Sequence, residues 1–130
     1  MNYTMTVTTP LGFDESVTAV RDALADQGFG ILTEIDIQAT LRDKVGAELD
    51  PYVILGACNP ALANRAIAAD PSIGALLPCN VVVRVAGDTT VVDALDPGTM
   101  STLTDNADLE PVATEAKRLI TAALETLPSS

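Results

Sequence analysis

The sequence predicts an α/β (α+β) domain, a single mixed β-sheet layered with helices in the order β-α-β-α-β-α-β-β-α. Three observations predict it. Short alternating or apolar runs of strand length are interleaved with segments whose apolar residues recur at helical spacing. Pro, Gly, Asn and Asp punctuate the junctions between them. The chain has 130 residues, 48% of them hydrophobic, which suits one core, so residues 1–130 read as one domain.

Each element has its own signal. Residues 2–8 alternate threonine with apolar side chains, as a half-buried strand does, until Pro10 and Gly12 break the run. Phe13, Val17, Val20 and Leu24 form a helical stripe, with Asp14 and Glu15 at its N-terminal end and Gly28 as its stop. A strand from Phe29 to Ile35 follows. Asp36 then caps a helix carrying Ile37, Leu41 and Val45, which Gly46 ends. After Asp50-Pro51 comes an apolar strand, Tyr52 to Ala57. In Cys58-Asn59-Pro60, Asn59 is an N-cap and Pro60 a first helical residue, so the chain passes there from strand to helix. That helix breaks at Asp70-Pro71 and a second short piece runs to Pro78. Asn80 to Val85 and Thr89 to Leu95 are strands joined by a tight turn at Gly87-Asp88, and this hairpin is what makes the sheet mixed. Residues 98–108 are small and polar and read as a loop. Val112, Ala116, Leu119, Ile120, Ala123, Leu124 and Leu127 make one wide apolar face on a final helix.

Composition excludes several function classes. Seven basic residues against eighteen acidic ones give a net charge of −11, the wrong sign for a nucleic-acid surface. The absence of histidine removes Ser-His-Asp and Cys-His catalysis and histidine metal sites. Neither G-x-G-x-x-G nor a P-loop occurs, and no cofactor can be assigned. The N-terminal residues lack a signal peptide's charge and apolar core, and no apolar run spans a membrane. Two cysteines fit a reducing compartment, so the expected location is cytoplasmic.

The candidate chemistry is concentrated in a few polar residues. Cys58 lies at a helix start, where the macrodipole and backbone amides stabilise a thiolate, although a small buried side chain filling space under the cap explains it equally simply. Cys79 is its candidate partner. If residues 60–77 form one crossover helix, the two cysteines lie at opposite ends of parallel strands, roughly 20 Å apart. If the chain turns back at Asp70-Pro71 they come together, and spacing alone leaves both arrangements open. Glu34 and Asp36 flank Ile35 and share one face of a strand, while Asp93 and Asp96 lie near the end of another. Such pairs, with Asn59 or Asn80 adding oxygen, define a weaker carboxylate metal alternative, although no dedicated metal loop is present.

Three blocks carry a family resemblance. The segments Gly28-Phe29-Gly30-Ile31-Leu32-Thr33-Glu34-Ile35-Asp36-Ile37-Gln38-Ala39-Thr40-Leu41, Tyr52 to Pro60, and Leu76 to Val83 resemble, in order, the signature blocks of an uncharacterised prokaryotic family, domain of unknown function 302. The resemblance implies a small cytoplasmic α/β domain that forms a homodimer, and it supplies no activity. Carried onto this chain, its signature positions are Glu34, Asp36, Gly56, Cys58, Asn59, Pro60, Pro78, Cys79 and Asn80. The functional expectation is a dimeric small-molecule-binding module with a polar site near Cys58-Asn59, to which Glu34, Asp36 and Asn80 contribute. The alternative is a thiol-dependent redox or sulfur-transfer protein using Cys58 and Cys79.

Overall fold

The computed structural model describes residues 2–129. The elements are β1 (Thr4–Thr9), α1 (Phe13–Asp26), β2 (Gly30–Asp36), α2 (Ile37–Val45), β3 (Tyr52–Cys58), α3 (Pro60–Ala69), β4 (Cys79–Ala86), β5 (Thr89–Leu95), α4 (Gly98–Thr104) and α5 (Glu110–Glu125). Short 3-10 helices occupy Pro71–Leu76 and Ala107–Leu109. The expected order of strands and helices is reproduced, with one helix, α4, added before the last. The caps are the ones their residue types dictate: Asp36 accepts from the Ala39 N–H at 2.9 Å, and Asn59 from the Leu62 N–H at 3.2 Å. Gly46 closes α2 in the left-handed conformation, φ 69°, which costs a residue without Cβ nothing.

The five strands lie in the order β1-β5-β4-β3-β2, and every neighbouring pair is antiparallel. The sheet is thus antiparallel throughout rather than mixed. The cause lies between β3 and β4. From the end of β3, α3 leads the chain away, and the 3-10 turn after Asp70-Pro71 returns it. Cys79 therefore begins β4 opposite Ala57, almost where β3 ended.

Alternation along the strands sends one set of side chains into the core. Val53, Leu55 and Ala57 of β3, Cys79, Val81 and Val83 of β4, and Val92 and Ala94 of β5 are buried with Val20 and Leu24 of α1 and Ile120 and Leu124 of α5. A second cluster gathers Leu62, Ala66, Ile73, Met100, Leu109, Val112, Ala113 and Ala116, and Leu119 packs against both. Helix α5 thus serves two cores, its N-terminal half facing α3 and α4 and its C-terminal half facing the sheet. That second cluster also explains why residues 98–108 are helical and not the expected loop. Met100 and Leu109 are apolar anchors within a polar run, and burying both forces the segment into compact turns.

The opposite sheet face is half-exposed. Across its middle runs the row Thr6, Asp93, Val82, Ile54 and Ile35, one residue from each strand. Among the described residues, no helix is long and apolar enough to cross a membrane.

Candidate functional site

The sequence-predicted residues fall into three separate places. Cys58 and Asn59 end β3 and begin α3, and Cys79 begins β4 in register with Ala57. The turn-back arrangement therefore holds, and Cys58 and Cys79 line one small cavity of about 20 Å³ beneath α3. Its other walls are mainly apolar, among them Phe29, Leu62, Ala66 and Met100. A space of that size holds about one water molecule, too little for an organic ligand. Both cysteines are free; Cys58 is half-buried and Cys79 buried. Burial, and next the nearby Cys58, push the Cys79 thiol up to about 11, so it stays protonated at neutral pH.

Glu34 and Asp36 lie elsewhere. Their register partners are Leu55 and Val53, which places both on the helix-covered face toward the other end of the strands from Cys58. There they border a cleft of about 360 Å³ between α1, β2 and β3, walled by Phe13, Val17, Tyr52 and Val53 and rimmed by Asp14 and Gln38. Arg21 donates to Glu34 at 2.8 Å across this edge, and Asp36 is engaged in capping α2. Phe13 and Tyr52, two of only four aromatic residues in the chain, also line this cleft; their scarcity is the signal the sequence offers for them.

Asn80 occupies a third position. It pairs in register with Gly56 and is exposed on the open face, beside Tyr52, Val82 and Leu95. The fold thus brings Cys58 to Cys79 and Glu34 to Asp36, but does not gather Glu34, Cys58 and Asn80 around one pocket.

Asp93 and Asp96 are held by cations of the chain itself. Arg84 donates to Asp93 at 2.9 Å, and Thr6 donates to its other oxygen at 2.6 Å. Partial burial opposes the charge of Asp96, but the Gly98 N–H and the Lys117 ammonium outweigh it and hold its carboxyl below the usual carboxylate range. Among the described residues, no three His, Cys, Asp or Glu side chains gather as a metal site, so the carboxylate pairs form no such centre.

Comparison with known proteins agrees with this architecture. The family model described as "Domain of unknown function DUF302" matches residues 4–127. The chain belongs to the DUF302 family. A solved structure, the crystal structure of an uncharacterized conserved DUF302 protein from Bacillus stearothermophilus, superposes with a TM-score of 0.89 at 27% identity, covering 96% of this chain and 98% of that one. No curated protein matches. In this DUF302 chain the signature-like positions Gly56, Cys58, Asn59, Pro60, Pro78, Cys79 and Asn80 all sit where β3 ends and β4 begins, with Glu34 and Asp36 further along the sheet.

Proposed function

We propose that this chain is a cytoplasmic small-molecule-binding domain acting as a homodimer, with its ligand in the cleft bordered by Glu34 and Asp36. One observation carries the ligand site. At about 360 Å³ the cleft falls within the usual range of ligand pockets, about 300–1,000 Å³, whereas the Cys58-Asn59 cavity does not. Its walls are apolar and aromatic and its rim carries three carboxylates, Asp14, Glu34 and Asp36. Such a lining suits a compact organic cation with an apolar body, its head near the rim and its body against Phe13 and Tyr52.

The test is a titration of primary amines and guanidines of increasing apolar size, followed by amide NMR. Saturable shifts are expected at Val17, Glu34 and Val53, weakened by Asp14→Asn and by Tyr52→Ala, with none for the matching carboxylic acids. Shifts that fail to saturate, or that map to another face, would sink the reading.

The homodimer rests on the open sheet face. Ile35, Ile54, Val82, Leu95 and Tyr52 give it an apolar character, and its Arg84 and Asp93 neutralise one another. Two chains of charge −11 meet with least repulsion at a patch that carries no net charge. Pairing there about a two-fold axis buries surface that one chain leaves half-wet. Sedimentation at tens of micromolar should show a dimer that tightens as salt screens the remaining charge. Val82→Arg should give monomer; a wild-type monomer in both low and high salt would refute the proposal.

The thiol-dependent alternative takes second place. The two cysteines are neighbours, but Cys79 is held as a thiol and is a poor resolving nucleophile at neutral pH.

A further inference from the structure

We propose that Arg21 is a built-in competitor for the cation position of the cleft, and that the ligand able to displace it carries a guanidinium head. The proposal rests on the cleft being the ligand site. Glu34 lines that cleft from β2, whereas Arg21 reaches it from α1 and is not one of its walls. Nη2 of Arg21 donates to Oε1 of Glu34 at 2.8 Å. A carboxylate of the cleft thus already holds the kind of group that the cleft suits.

The contact is built to be exchanged. It is a one-point bond: among the described residues, neither Arg21 nor Oε2 of Glu34 makes another side-chain hydrogen bond. The two side chains are 41% and 47% exposed, so water competes for both and the pair is weak. On α1 the positions three and four away from Arg21 are Val17, Thr18, Leu24 and Ala25, which offer no second carboxylate to hold it. Val20 and Leu24 are buried and fix the helix itself. Arg21 can therefore swing into water while α1 stays in place.

The same geometry selects the incoming head group. A ligand guanidinium presents two parallel N–H donors to both oxygens of Glu34, and so replaces a one-point bond with a fork. A primary ammonium is a compact point charge without that planar fork, and it meets Arg21 with no such advantage. Asp14 and Asp36, the other rim carboxylates, form no ion pair among the described residues and attract either cation. Glu34, with its competitor, is where the two head groups are told apart.

The experiment is an NMR titration of wild type and Arg21→Gln with benzylguanidine and with benzylamine. Arg21→Gln should tighten benzylguanidine about two- to five-fold, the range set by an exposed ion pair. In wild type, which needs no variant to fold, the side-chain N–H signal of Arg21 should move to its water-exposed position as benzylguanidine saturates the cleft. Benzylamine should bind wild type more weakly and leave that signal in place. Equal or weaker benzylguanidine binding by Arg21→Gln, an unmoved Arg21 signal at saturation, or benzylamine binding as tightly as benzylguanidine would overturn this proposal and leave the cleft reading standing. No binding at the cleft by either protein would overturn both.

Discussion

Gly56→Ala is expected to destabilise the protein by about 1–3 kcal/mol, and Gly56→Val by more, read as a fall in the urea midpoint at constant slope. Propensity alone predicts the opposite sign, because glycine within a strand costs roughly 0.5–1 kcal/mol relative to alanine. The contacts decide. A Cβ on Gly56 overlaps the Thr33 hydroxyl and falls 2.8 Å from Cγ of Pro78. The hydroxyl can rotate away, but the Pro78 ring is closed and held at the entrance to β4. Adding Thr33→Ala to Gly56→Ala should therefore recover part of the loss, and a double-mutant cycle measures that part. An unchanged midpoint for Gly56→Ala would show that β2 and the Pro78 turn yield more easily than their packing implies.

Raising the pH from about 9 to about 11 should remove roughly 2 kcal/mol of stability through Cys79 alone. Its thiol has an ordinary value near 9.0 when unfolded and is pushed up to about 11 when folded, first by burial and then by Cys58. Between those values the folded chain keeps a proton that the unfolded chain has released. The contribution is full below the unfolded value and disappears as pH rises through the folded one. The measurement is the difference in unfolding free energy between wild type and Cys79→Ala, which isolates this thiol. That difference should shrink as pH rises. A constant difference would mean that water reaches the thiol in the native state.

Much of the fold was legible because local chemistry and tertiary packing agree. Asp36, Gly46, Asn59 and Pro60 act at helix ends as their residue types require. The helical stripe from Val112 to Leu124 is the face that α5 buries. Strand direction was not legible, because it depends on the path between Ala69 and Cys79, where a 3-10 turn reverses a chain that one continuous helix would have carried on. The helical character of residues 98–108 was hidden for a related reason: only the distant partners of Met100 and Leu109 make burial worthwhile. At the site, the shared face of Glu34 and Asp36 followed from strand alternation. Their separation from Cys58, and that of Asn80 from both, is set by register and by which face each residue takes. A list of polar residues carries neither.

The irregularity in β2 bears on how the sheet ends. Ile31 pairs with Ala57 and Thr33 with Gly56, which leaves Leu32 as an extra residue, 65% exposed. An edge strand is a ladder of unsatisfied amides and carbonyls, a template on which another chain's strand can grow. One surplus residue disrupts that ladder and increases its twist, so an incoming strand loses regular pairing beyond it. The carboxylates of Glu34 and Asp36 sit on the same rim and repel a second acidic chain. Leu32, which contributes nothing to the core, therefore blunts the β2 edge: the surplus residue interrupts the regular ladder on which another strand would add.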